Sequence, residues 1–157
     1  MKGPVHTYDL TVTWTGDEGR GTADYRSYRR DHVVSAEGRP DLAGSSDPTF
    51  RGDATRWNPE QLLVAALSQC HMLWYLHLCA TNDVVVTGYV DHAHGEMRTH
   101  PDGSGEFTSV VLRPQVTVAE AGMVEQAERL HADAPTLCFI ARSVNFPVGH
   151  EPTVTVG

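Results

Sequence analysis

The stretch Asn58-Pro59-Glu60-Gln61-Leu62-Leu63-Val64-Ala65-Ala66-Leu67-Ser68-Gln69-Cys70 decides how this chain folds. Asn58 suits an N-cap because its side-chain oxygen can take an orphan N–H of a first turn. Pro59 fits the first helical position, where a missing N–H costs nothing, and Gln61 can reach back to the cap. Apolar residues continue to about Ala80, so the pattern predicts one long helix from Pro59 to about Thr81. On that helix Cys70 shares a face with Leu63, Ala66, Leu67, Leu73, Trp74 and His77, the spacing of a buried stripe. Cys79 falls on the other side, because nine residues turn a helix by about 900° and advance it by roughly 13 Å. Disulfide Cα atoms lie within about 7 Å, so Cys70 cannot pair with Cys79 inside one helix. Cys138 is the only other thiol in the chain.

Outward from the helix, His6 to Trp14 alternates, with Tyr8, Leu10, Val12 and Trp14 on one side, as a half-buried strand does. Gly16 to Gly21 reads as a turn, followed by a strand through Thr22 to Tyr28 and another near His32 to Val34. Ala36 to Trp57, rich in Gly, Ser, Asp and Pro, reads as a long loop. Beyond the helix, Val84 to Met97 reads as a strand. His100-Pro101-Asp102-Gly103-Ser104-Gly105 signals a turn, so this strand and Phe107 to Val118 form a hairpin. Ala119 to Asp133 is helical, with Val124, Ala127, Leu130, His131 and Ala134 along one face. Pro135 is expected to interrupt it, and a short helix starting at Thr136 or Leu137 carries Cys138, before a last strand from Val144 toward Val156. This order is α+β and lacks the alternation of a nucleotide-binding sheet.

With 157 residues and 40% hydrophobic content, the chain suits a single domain over residues 1–157. Met1-Lys2-Gly3-Pro4-Val5 has no apolar leader, and the clean apolar run Leu62 to Leu67 is too short for a membrane span, which predicts a soluble cytoplasmic protein. In such a reducing compartment disulfides are usually transient and catalytic, and three cysteines make a poor structural framework. A formal charge of −8 argues against nucleic acid or an anionic membrane as partner, and the run Arg26-Ser27-Tyr28-Arg29-Arg30 reads as a solvated strand end.

The Asn58-Pro59-Glu60-Gln61-Leu62 segment, with Cys70 ten residues after Glu60 and Cys138 following a helix that ends His131-Ala132-Asp133-Ala134, resembles the OsmC/Ohr family of peroxide-reducing proteins. The order of elements agrees over nearly the whole chain. The resemblance implies an OsmC/Ohr-like α+β fold and an intertwined homodimer. It also implies a peroxidatic role for Cys70 and a resolving role for Cys138, acting on organic hydroperoxides with a dithiol such as a lipoyl group as reductant and with no cofactor. Phe139, where better-known members often have proline, the bulky His71-Met72-Leu73-Trp74-Tyr75-Leu76-His77 and the long loop Ala36 to Trp57 mark a divergent subgroup.

Peroxide reduction needs a thiolate, a cation to lower its pKa and a carboxylate to orient the cation. By the same resemblance, Arg51 in the loop before the helix is the first candidate cation, Arg20 on the first turn the alternative, and Glu60 the orienting carboxylate. Ten helical residues put Glu60 about 15 Å along the axis from Cys70. Glu60 is therefore expected to act across a dimer interface or through a long arginine. The Cys70 sulfenic acid would condense with Cys138 to a disulfide that an external dithiol reopens. Leu63, Leu67, Trp74 and Phe139 favour a greasy hydroperoxide, and Cys79 reads as a core residue.

A metal-binding or small-ligand module is the competing reading, since nine histidines include the clusters Cys70, His71, His77, Cys79 and Asp91, His92, His94, Glu96. Neither cluster has its members on one face at the spacing of a zinc site. His77 and His131 fit the core or the dithiol site better. A redox sensor with the same fold and a reactive Cys70 is a third reading, and residues alone do not separate it from a peroxidase.

Overall fold

Asn58 and Gln61 make the reciprocal capping pair: Gln61 N–H donates to Asn58 Oδ1 at 2.8 Å and Asn58 N–H to Gln61 Oε1 at 3.1 Å. The helix they start, α1, runs from Pro59 to Thr81 in the computed structural model, which describes residues 1–157. The chain forms two compact units, Met1–Leu62 and Leu63–Gly157.

The first unit holds an antiparallel sheet of β1 (Thr11–Trp14), β2 (His32–Ser35) and β3 (Leu42–Gly44). Trp14 pairs with His32 and His32 with Gly44, where a Cβ would collide with the His32 ring. β1 is shorter than its alternation predicts, and its apolar side stays exposed, from Tyr8 at 86% to Trp14 at 45%. The expected strand over Thr22 to Tyr28 is a set of turns instead. Asp24 and Ser27 take the backbone for themselves, with Arg26 N–H donating to Asp24 Oδ1 at 2.8 Å and Asp24 N–H to Ser27 Oγ at 3.1 Å, so no ladder forms. The stretch Ala36 to Trp57 is not all loop, since it contains β3 and a 3-10 turn at Pro48–Phe50.

In the second unit α1 buries Leu67, His71, Tyr75 and Cys79, a one-residue-in-four stripe. By length and composition α1 is also apolar enough to cross a membrane, and here it buries this one stripe. Two three-stranded sheets accompany it. One has the order β4 (Val86–Asp91), β7 (Pro114–Val118), β9 (Thr153–Val156), and the other β5 (His94–Thr99), β6 (Gly105–Leu112), β8 (Val148–His150). The predicted strand Val84 to Met97 is therefore two strands, and so is the one from Val144 to Val156. The chain changes sheets at His92-Ala93, at Arg113 and at Glu151-Pro152. The crossing is held by Arg113 N–H donating to Asp91 Oδ1 at 2.7 Å, and Pro152 has no N–H to continue a ladder. The hairpin turn is where it was expected, joining β5 to β6, with Gly103 at φ 88 and Ser104 N–H donating to Asp102 Oδ1.

Helix α2 spans Val124–Leu137 and buries Ala127, Leu130, His131 and Ala134. Pro135 does not interrupt it. Only the His131 carbonyl loses a donor, and Cys138 N–H closes the last turn on the Ala134 carbonyl at 3.0 Å. Cys138 is thus the C-cap of α2 at φ −68, ψ 110, not a member of a following helix. The next short element is a 3-10 turn at Ala141–Ser143.

Candidate active site

Cys70 lies midway along α1 and Cys138 where α2 stops, and the second unit brings the two thiols close enough for Cys70 to act on the Cys138 pKa. Both are free thiols, Cys138 buried and Cys70 partly exposed. Burial, then the Cys70 thiol, pushes the Cys138 pKa up to about 11, while the Ala141 N–H, 3.4 Å from its sulfur, works the other way. Cys138 is therefore a protonated thiol at neutral pH.

The Cys70 face of α1 is not the buried stripe its spacing predicts. It opens onto an apolar groove of about 570 Å³, walled by Ala66, Leu73 and Trp74 from α1 and by Phe139 and Ile140 from the segment after Cys138, with Gln69 and His77 as its polar members. Trp74 meets the Phe139 ring edge-on at 5.5 Å and the His77 ring at 5.6 Å. Leu73 and Phe139 are 62% and 66% exposed, so the groove is open to an apolar occupant.

Behind the thiols lies a histidine cluster drawn from three elements. His71 of α1 and His131 of α2 share a hydrogen bond, Nε2 to Nδ1, at 3.1 Å with rings stacked at 5.4 Å, and His150 of β8 lies 5.7 Å from His71. Tyr75 stacks on His131 at 3.8 Å and donates its hydroxyl to the Ala127 carbonyl. Burial first, and then the neighbouring histidines, lowers His71 to about 4 and His131 to about 3, so both rings are neutral at neutral pH. His131 Nε2 is buried without a hydrogen-bond partner. His150 is the member that sequence reasoning missed, since one histidine on a short strand carries no local signal.

The remaining expected residues lie elsewhere. Cys79 packs in the core with Tyr75, Val116 and Leu130, and burial raises its thiol pKa. Glu60 and Arg51 belong to the first unit and form no ion pair with each other; Glu60 Oε2 is buried with no partner, and exposed Arg51 sits 5.8 Å over the Tyr25 ring. Arg20 pairs with Asp24 at 3.6 Å. Neither histidine cluster considered for a metal converges: His77 faces the groove while His71 points inward, and Asp91 is bonded to Ser68 Oγ at 2.5 Å.

The profile of the OsmC-like protein family matches residues 52–152. An OsmC-like protein of unknown function from Vibrio cholerae superposes with a TM-score of 0.85 at 32% identity, over 95% of this chain and 100% of that one. An organic hydroperoxide resistance protein OsmC from Legionella pneumophila superposes with a TM-score of 0.70 at 17% identity, over 98% and 99%. An organic hydroperoxide resistance protein from Vibrio cholerae, with captopril bound in one active site, superposes at 0.62 with 22% identity over 98% and 95%. No curated protein matches.

Proposed function

The chain belongs to the OsmC-like protein family, and within it we propose that this protein reduces organic hydroperoxides by a two-cysteine mechanism. The observation that carries the reading is the thiol pair itself, with Cys70 opening on an apolar groove and Cys138 buried nearby, its pKa raised in part by the Cys70 thiol. The Cys70 thiolate attacks the outer oxygen of ROOH. The O–O bond breaks, an alkoxide leaves and takes up from solvent the proton that the Cys70 thiol had released, becoming the alcohol, and Cys70 becomes a sulfenic acid. Cys138 condenses with it, water leaves, and an external dithiol of the lipoyl type reopens the disulfide.

Arg51, oriented by Glu60, is the cation we assign to Cys70. The buried and unpartnered Glu60 Oε2 suits a guanidinium. We assign the protein to the cytoplasm as a homodimer, with residues 1–157 acting as one domain. The neutral alkyl or aryl part of the substrate would lie along Leu73, Trp74 and Phe139, which gives little to hydrogen peroxide. The test is steady-state consumption of cumene hydroperoxide and of hydrogen peroxide with dihydrolipoamide as reductant. Turnover of the organic peroxide that disappears in Cys70→Ser is expected. Oxidation of Cys70 without turnover would contradict the proposal and leave a redox sensor.

A further inference from the structure

Trp74 and Phe139 wall the Cys70 groove, and the same two rings wall a second groove of about 480 Å³ whose other members are Leu137, Arg142 and Ser143. An apolar chain laid over this edge-on pair, with ring centroids 5.5 Å apart, runs from Cys70 at one end to Arg142 at the other. The backbone after α2 fixes that spacing. Arg142 N–H donates to the Cys138 carbonyl at 3.1 Å and Ser143 Oγ to the Phe139 carbonyl at 2.7 Å, so thiol, ring and arginine belong to one tied turn.

Arg142 is a cation without a counter-charge. Its Nη1 donates to the Thr136 carbonyl at 3.1 Å, which anchors the guanidinium at the end of α2 and leaves its other N–H groups for a ligand. In the same unit Arg113 pairs with Glu151 and Arg129 with Glu125, yet Arg142 pairs with no carboxylate. Neither groove is lined by an Asp or a Glu, although the chain carries a formal charge of −8. The Cys70 end is thus apolar, the far end is cationic, and nothing between them repels an anion.

We propose that Arg142 is a carboxylate site and that the hydroperoxide this protein prefers is an amphipathic anion. Its peroxide lies at Cys70, its apolar chain crosses Trp74 and Phe139, and its carboxylate rests on Arg142. This substrate class rests on the two-cysteine reading above. A guanidinium presents paired N–H groups to a carboxylate, which a neutral amide of the same length cannot match. Arg142 is exposed, so the pairing is screened by salt and gives a preference of about three- to tenfold rather than an absolute one. The arginine also fixes which end of the chain meets Cys70.

Binding and turnover are read separately. Amide NMR titration of the reduced protein with octanoate and with neutral octanamide reads the site without chemistry. Octanoate should bind about three- to tenfold more tightly and shift Trp74, Phe139 and Arg142 together. That gap should shrink with salt, close in Arg142→Gln, which keeps a donor for the Thr136 carbonyl, and persist in part in Arg142→Lys. For turnover, a nonanoate with a tertiary hydroperoxide at its far end is compared with its amide, with neutral dihydrolipoamide as reductant. The acid should lead by a similar factor in kcat/KM, carried by KM, and Arg142→Gln should remove the lead. Equal binding of octanoate and octanamide, or a gap that Arg142→Gln leaves intact, would overturn the carboxylate site and leave the two-cysteine reading standing. Equal turnover of acid and amide would overturn the substrate class alone. Tighter binding of octanoate with no turnover of either hydroperoxide would overturn the two-cysteine reading and the substrate class with it, and leave Arg142 as an anion site. If Arg142→Gln does not fold, the salt dependence in the unaltered protein decides, and a gap indifferent to salt would overturn the site.

Discussion

Cys70 and Cys138 sit in environments that divide the labour between them. The partly exposed thiol meets the groove, and the buried one is held protonated at neutral pH. Cys138→Ser should accordingly leave a long-lived Cys70 sulfenic acid and cut turnover with dihydrolipoamide by at least about tenfold, read as dimedone adduct and peroxide consumption. The aromatic wall makes a second prediction. Trp74→Ala removes the ring that packs on Phe139 and should raise KM for cumene hydroperoxide by roughly tenfold while changing hydrogen peroxide consumption little. The histidines also couple stability to acid. His71 and His131 are neutral in the fold with pKa values of about 4 and about 3, against 6.5 when unfolded, so the unfolded state binds more protons below about pH 6.5. Urea unfolding should therefore show stability flat between pH 6.5 and about 8 and falling by a few kcal/mol toward pH 4. His71→Gln should flatten that slope.

At the scale of elements, α1 was legible because its start is chemically local: the Asn58 and Gln61 side chains satisfy each other's backbone N–H groups. Asn58→Ala should cost about 1–2 kcal/mol in urea unfolding with the m-value unchanged. Which face of α1 is buried was not legible. The helix is apolar nearly all round, so periodicity pointed to the Cys70 face, whereas the packing buries Leu67, His71, Tyr75 and Cys79. The strand ends failed for a related reason. The breaks at His92-Ala93 and Glu151-Pro152 are set by two sheets sharing one chain path, and that is a tertiary constraint. Of the candidate site, both cysteines could be named from sequence context, but the His71, His131, His150 cluster needed three distant elements to meet.

For the whole molecule, the exposed run Tyr8, Leu10 and Val12 that leads into β1, each at least 60% exposed, and the open rim at Leu73 and Phe139 are apolar surfaces of the isolated chain. A homodimer covering them should appear in light scattering at twice the 17.2 kDa chain mass, and a monomer would contradict that part of the account. The central claim is the chemistry of the thiol pair. Its most direct test is to treat the reduced protein with one equivalent of cumene hydroperoxide and map the cysteines by mass spectrometry, with Cys70→Ser as control. The account predicts a rapid Cys70–Cys138 disulfide that is absent from the control and leaves Cys79 reduced. Unreacted thiols, or slow oxidation spread over all three cysteines, would contradict it.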